Sequence, residues 1–324
     1  MKAVRLHEIG GPENLTLDEI AVPEPGADEA RVRVRAAAFN HRDVFITQGL
    51  YPNISLPKTL GADGAGELDG RRVLIDPLIG WGDDERIWRS DSSILGMPRE
   101  GTFAEYVCVP RENVHDTPGH LTDEQAAALP LAGSTAYRAL FTRGELQAEE
   151  NVLITGIGGG VQTMALLFAL AAGANVFVTS GSDEKLDRAK ALGAKAGANY
   201  KGDPEWNKTL RKAAGHFDMI VDSAGGETFA RALTTVRPGG RVVTYGGTNG
   251  DAKIKMFPVF WNQIDIRGSS MGSPRDFAAM LAFVSQHRIV PVVDKVFALE
   301  DAVEAAQRMH RGDQFGRIVL SVAE

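Results

Sequence analysis

The chain has 324 residues, is 44% hydrophobic, and carries a net charge of -7 with a pI near 5.6. That length exceeds what one core usually serves, so two domains are expected, and the acidic balance without a local Lys/Arg cluster excludes a surface built to attract nucleic acid. No apolar run reaches the roughly 18 residues that span a bilayer, and the first residues lack a charged-then-apolar leader pattern, so a soluble, cytoplasmic protein with no membrane contact is expected.

Up to about residue 120 the pattern is one of short strands and turns. Residues 30–35 alternate Arg with Ala or Val, the signature of a half-buried antiparallel strand. Frequent breakers (Pro23, Pro25, Gly26, Pro52, Pro57, Gly61, Gly64) fit short strands in a compact β domain. Cys108, the only cysteine, has no partner for an internal disulfide and, between Val107 and Val109, is expected as a small core residue. From about Thr122 helix and strand alternate. Strands are expected at residues 175–179, 196–200, 219–222 and 241–245, with helices filling the gaps. Such repetition closes as a parallel sheet covered on both faces, with ligands at the carboxyl ends of the strands, where Gly156, Ser180, Asp222 and Gly246 all fall. After a strand at 264–269 come helices at 276–286 and 299–310 and a last strand at 318–322, a tail expected to return to the first domain.

Residues 151–173 join an apolar strand, a turn holding Gly156, Gly158, Gly159 and Gly160, and an apolar helix from Val161. Glycines there bring backbone N–H groups close to a ligand, and the helix start offers its positive end to a pyrophosphate, so a dinucleotide cofactor is expected, although glycines also mark ordinary turns. The usual fingerprint closes with a glycine; here Val161 is followed by Gln162, which predicts a wider turn. An enzyme preferring NAD carries an acid about 20 residues on, whereas this strand ends at Thr179 and Ser180. A hydroxyl can donate to the 2'-phosphate of NADPH, and Lys185 can supply the counter-charge. NADPH is therefore expected, the plainer alternative being that Ser180 is a turn residue and Lys185 a solvated one behind Asp183 and Glu184.

Asn40-His41-Arg42-Asp43, Gly49-Leu50-Tyr51-Pro52, residues 61–66 (GADGAG), 101–106 (GTFAEY) and 132–137 (AGSTAY), the glycine turn, and 268–272 (GSSMG) together resemble, nearly end to end, the medium-chain dehydrogenase/reductase superfamily and its zinc-independent quinone oxidoreductase branch. The resemblance implies an α/β fold: a GroES-like β-rich catalytic domain (1–122 and 271–324) plus a Rossmann doubly wound parallel-sheet domain (123–270), an active site in the cleft between them, and a homodimer paired through the strand at 264–269. It places Thr135 near the nicotinamide, Gly156 to Val161 at the pyrophosphate, Ser180, Lys185 and Tyr200 at the 2'-phosphate with Arg317 approaching from the tail, and Gly246, Gly247, Ser270 and Met271 beside the nicotinamide.

Zinc enzymes of the superfamily use a cysteine, a histidine and usually a second cysteine where this chain has Asn40, Ala62 and Leu131, and four cysteines in a lobe where residues 80–100 have none. Alanine and leucine donate no electron pair, so no metal is expected, with His41 and Asp63 left as candidates for an unusual site. Without a Lewis acid the suitable acceptor is a small, electrophilic molecule, a quinone or α,β-unsaturated carbonyl that stabilises incoming electrons itself. Asn40 is the first candidate to orient its oxygen, the equal alternative being a helix cap; Asp43 supports the loop; Phe45, where several members of the branch have tyrosine, forms an apolar wall. Two other functions stay open: an NADPH-binding regulator or sensor with little catalysis, and an alcohol dehydrogenase with an atypical metal site.

Overall fold

The Arg/Ala/Val alternation becomes the strand Glu29–Ala38, with Ala30, Val32 and Val34 buried and the arginines facing outward. It is the spine of a seven-stranded sheet in the computed structural model, which describes residues 1–322. The path runs Val114–Asp116, Arg71–Ile75, Asp63–Leu68, Glu29–Ala38, Arg317–Ser321, Val293–Ala298, with Tyr106–Pro110 also pairing with Glu29–Ala38. Inside lie Val32, Val34, Phe39, Phe103, Ile318 and Leu320, with the Phe39 and Phe103 rings 4.4 Å apart. A three-stranded sheet (Leu15–Glu19, Lys2–Leu6, Lys58–Thr59) adds to this unit. Cys108 departs from expectation: register sets it opposite Arg31, so Val107 and Val109 turn inward and the thiol stays on the outer face, partly exposed.

The β-rich unit comprises Met1–Ser134 and the chain from Gly272 onward, so the tail does return to it. Its boundary lies later than the expected residue 122. Thr122 and Gln125 exchange capping bonds of 3.3 and 3.0 Å, and the helix they start, Asp123–Ala127, buries Ala126 and Ala127 against this unit's strands Glu29–Ala38 and Asp63–Leu68.

The second unit, Thr135–Met271, holds a six-stranded parallel sheet in the order Ala196–Asn199, Asn175–Ser180, Asn151–Ile154, Phe217–Asp222, Val236–Thr244, Asp265–Gly268. The order reverses at Asn151–Ile154, the switch point where ligands bind in such sheets. Helices Gly160–Ala171, Asp183–Ala191, Trp206–Ala214 and Gly226–Leu233 connect the strands. Asp265–Gly268 is an edge strand, and the helix before it, Met256–Trp261, exposes Phe257, Phe260 and Trp261. Among the described residues no helix is long and apolar enough to cross a membrane.

Candidate functional site

In the parallel-sheet unit the chain leaves Asn151–Ile154 through Thr155, whose hydroxyl donates to Asp222 Oδ1 at 2.6 Å, and Gly156, whose N–H donates to Thr179 Oγ1 at 3.0 Å. Asp222 also accepts from Gly225 N–H at 2.9 Å, and burial pushes its carboxyl up. These bonds fasten the glycine turn to the ends of the two neighbouring strands. The helix then starts at Gly160 with Gly159 as its cap; glycine has no side chain to occupy the first helical amides, which leaves them to a phosphate. Gln162, in the first turn, donates to Ser223 Oγ at 2.6 Å, a link the sequence did not suggest.

Two glycines admit cationic side chains to this end of the sheet. A Cβ on Gly158 would lie 2.8 Å from Lys185 Cδ and 3.3 Å from its Nζ, so the end of the Lys185 side chain lies beside the turn. A Cβ on Gly181 would lie 2.8 Å from Lys201 Cε and 3.0 Å from Tyr200 Oη. Lys185 and Tyr200 thus converge on the turn and on the end of the second strand, joined by Lys201, which sequence reasoning missed although it follows Tyr200 directly. Ser180 behaves otherwise: it is buried, its hydroxyl donates to Ile157 O at 3.4 Å and accepts from Ser182 N–H at 3.2 Å, so it braces the turn. Gly246 and Gly247 lie on an exposed loop, Ser270 is exposed, and Met271 is buried with φ of 54°. The Thr135 hydroxyl is buried with no hydrogen-bond partner among the described residues. A glycine cradle, uncapped helix amides, two lysines and an orphaned hydroxyl form a set that fits a dinucleotide.

In the β-rich unit the sequence-distant Asn40, Asp63 and Arg317 meet. Antiparallel pairing sets Ala38 against both Asp63 and Val319, which carries Arg317 to the start of the helix His41–Thr47. Asn40 Nδ2 donates to Asp63 Oδ2 at 3.0 Å; Arg317 donates through Nη1 to Asn40 Oδ1 at 2.8 Å and through Nη2 to Asp63 Oδ2; Leu131 N–H donates to Asp63 Oδ1 at 2.7 Å. All three side chains are at least 95% buried. Burial pushes the Asp63 carboxyl up, with Arg317 the main opposing influence. Arg317, expected at the cofactor's phosphate, is thereby corrected: its guanidinium is spent on a buried ion pair inside the β-rich unit. Asn40 has both ends of its amide engaged, with one N–H hydrogen in reserve. Asp43 Oδ2 accepts from Asn40 N–H at 2.8 Å, the acidic half of a capping box, and burial raises its carboxyl to about 6 against the pull of Arg42. Phe45 is half-buried and meets the His41 ring edge-on at 5.3 Å.

A catalytic zinc does not fit this arrangement. Ala62 and Leu131 have no donor atoms, and Asp63 already binds a guanidinium. Among the described residues no group of three or more His, Cys, Asp or Glu is placed to hold a metal. In the segment that would carry a structural zinc, buried Trp81 donates to Asp84 O at 2.8 Å, and Arg86–Asp84 and Arg89–Asp91 pairs tie neighbouring residues.

Two family models match the chain: "Alcohol dehydrogenase GroES-like domain" over residues 26–119 and "Zinc-binding dehydrogenase" over residues 160–286. It is 36% identical to the "Zinc-type alcohol dehydrogenase-like protein YogA" of Leptosphaeria maculans, covering 95% of this chain and 94% of that one. Among solved structures, a crystal structure described as an NAD-dependent alcohol dehydrogenase superposes with a TM-score of 0.92 at 36% identity, covering 100% of both chains. The crotonyl-CoA carboxylase/reductase AntE in complex with NADP, at TM-score 0.90 and 21% identity over 99% of this chain and 95% of that one, shares the fold.

Proposed function

The chain belongs to the medium-chain dehydrogenase/reductase superfamily, and from that premise we propose that this oxidoreductase is an NADPH-dependent, metal-independent reductase of quinones or α,β-unsaturated carbonyls, acting as a cytoplasmic homodimer. The observation that carries the reading is the buried Asn40–Asp63–Arg317 cluster: a fixed guanidinium pairs with the carboxylate beside two positions that have no metal donors. A guanidinium buried behind Asn40 cannot accept the electron pair of an alcohol oxygen, so alkoxide formation has no local support and an acceptor that delocalises its own charge is favoured.

The nicotinamide, when bound, supplies hydride. The chain's residues hold and orient it: the Gly159–Gly160 amides and helix start take the pyrophosphate, Lys185, Tyr200 and Lys201 take the 2'-phosphate, and the orphaned Thr135 hydroxyl, Gly246, Gly247, Ser270 and Met271 serve the nicotinamide end. Preference for NADPH rests on the two lysines and the missing acid. NADH is the second reading, favoured by relatives described as NAD-dependent. Dimerisation is supported by the free edge of Asp265–Gly268, where a two-fold axis through Ile266 would set Asp265 of one copy against Arg267 of the other.

The test is cofactor oxidation with a panel of quinones, enones and simple aldehydes, alongside metal analysis of the purified protein. Reduction of quinones or enones by protein without stoichiometric metal supports the reading. Tightly bound stoichiometric zinc whose removal abolishes alcohol oxidation would overturn it.

A further inference from the structure

We infer that the β-rich unit holds a ligand site of its own, a cavity beside Arg5 that takes a small monocarboxylate with an apolar body. The cavity measures about 480 Å³ and lies where two sheets diverge. Ala3 bridges to Ala104, and Val4 N–H donates to Phe103 O at 2.7 Å, which joins the strand Lys2–Leu6 to the chain entering Tyr106–Pro110. Past that bridge the partners differ. Lys2–Leu6 pairs with Leu15–Glu19 and Lys58–Thr59, whereas Tyr106–Pro110 pairs with Glu29–Ala38. The connection from Leu15–Glu19 to Glu29–Ala38 contains Pro23 and Pro25, which cannot donate to a ladder, and it joins neither sheet. It forms one wall of the gap instead, pinned at both ends. Ile20 N–H donates to Met1 O at 2.9 Å, and Pro23 O accepts from Arg31 Nη1 at 3.3 Å and from the Cys108 thiol at 3.7 Å.

The walls favour an apolar body: Ile20, Ala21, Ala104 and Val107 line the space, and its volume falls within the roughly 300–1,000 Å³ of small-molecule sites. Charge sets the other half of the ligand. Arg5, Arg99 and Glu100 are the lining residues with charged side chains, and the protein already answers two of them. Arg99 donates to Ser93 Oγ at 3.0 Å and to Glu29 Oε1 at 3.4 Å. Glu100 accepts from Thr59 N–H at 2.8 Å and pairs with Lys58 at 3.2 Å. Arg5 is left over. No carboxylate lies within ion-pair distance of it among the described residues, its Nη2 makes a long bond of 3.3 Å to Pro57 O, and its Nε is buried with no acceptor. A buried donor without an acceptor costs stability until something accepts from it, and a guanidinium fork matches a carboxylate with two parallel bonds. An uncharged apolar molecule would leave that donor orphaned. A phosphate monoester would bring surplus negative charge beside Glu100.

Cys108 lines the same cavity, is partly exposed and is the one cysteine of the chain, so a thiol reagent reports on this place alone. Burial pushes its thiol up, and labelling by the uncharged reagent 4,4'-dithiodipyridine is therefore followed at about pH 8.5.

The test uses octanoate as the probe and octanamide as its uncharged control, on the whole chain. Octanoate should slow the labelling saturably, by at least about five-fold, with half-protection below about 1 mM, while octanamide at the same concentrations should slow it less than about two-fold. Arg5→Met should weaken octanoate about ten-fold or more, with its unprotected labelling rate within about two-fold of wild type, the sign that the cavity is intact. Arg99→Gln, which removes a charge that Glu29 already answers, should keep the protection. Equal protection by the two ligands, none by either, its survival in Arg5→Met or its loss in Arg99→Gln overturns the inference. If Arg5→Met does not fold, the comparison of octanoate with octanamide on wild type decides alone. None of these readouts involves the cofactor or turnover, so the outcome stands apart from the reductase reading.

Discussion

Replacing Arg317 with Met tests whether the buried cluster is a structural ion pair. The change leaves the Asp63 carboxylate fully buried, still accepting from Leu131 and Asn40 but without its cation. Removing one partner of a buried pair typically costs about 3–5 kcal/mol. At about 2–4 °C per kcal/mol for a domain of this size, Tm should fall by about 6–20 °C. The pH dependence has a defined sign. Burial already raises the Asp63 carboxyl, and losing Arg317, its main opponent, raises it further. A carboxyl whose folded pKa lies above the unfolded value of about 3.9 binds extra protons in the folded state, so its contribution is fully present below that pH and lost as pH rises through the folded pKa. The deficit should therefore be smallest near pH 4.5 and largest near pH 8, read by thermal melts followed by circular dichroism. Adding Asp63→Asn to Arg317→Met removes the stranded charge while keeping an acceptor for Leu131 N–H, and should recover most of the loss. NADPH affinity, measured below the melting range, should stay within about two-fold. A drop under about 2 °C at pH 8, a deficit that grows toward acid, or no recovery in the double variant would refute the assignment of Arg317.

Asp76, buried with its carboxyl raised to about 7 by desolvation, has the same sign of linkage: its contribution to stability is lost as pH climbs through 7, so Asp76→Asn, which keeps an acceptor for Leu78 N–H, should gain about 2–5 °C over wild type at pH 8 and nothing at pH 4. Equal gains at both pH values would show that ionisation is not the cause. Lys185→Glu and Lys201→Glu should each weaken NADPH binding about ten-fold or more while leaving NADH within about two-fold, by fluorescence titration; parallel losses for both cofactors would remove these lysines from the 2'-phosphate. Ile266→Lys, setting like charges against each other at the two-fold axis, should shift the light-scattering mass from dimer to monomer, and a wild type already monomeric at micromolar concentration would end the edge-strand proposal.

Periodicity and glycine spacing carried the parallel-sheet unit, because each βαβ connection is local: the expected strand at 175–179 is observed at Asn175–Ser180, and that at 219–222 lies within Phe217–Asp222. The place that the resemblance implied for Arg317 could not be checked by such local reading. Its neighbours Ile318, Val319 and Leu320 are fully buried, and a cation at the head of such a run needs a buried carboxylate, but only antiparallel pairing across more than 250 positions reveals Asp63 as the partner. Lys201 was missed for a different reason, since a lysine after a strand reads as solvated unless the closeness of Gly181 is known. Cys108 shows the limit of composition beside alternation: its apolar neighbours suggested a core position, yet the period of two that buries Val107 and Val109 turns the residue between them outward.

The relatives described as alcohol dehydrogenases and the donor set of this chain point in different directions, and the proposed function follows the donor set. A zinc site lowers the cost of an alkoxide because the metal accepts electron density directly. Arg317 supplies a positive charge in the same neighbourhood, but its guanidinium donates to Asn40 and Asp63, and Asp63 offsets that charge within one contact. The cluster is thus close to neutral toward anything outside it. Arg42 ends its two Nη groups on the Leu95 and Met97 carbonyls and its Nε on the Tyr51 phenol, with the buried Asp43 carboxylate 4.0 Å from Nη1. On the proposed reading, an acceptor that spreads its own charge needs less help with a developing oxyanion than the deprotonation of an ordinary alcohol does.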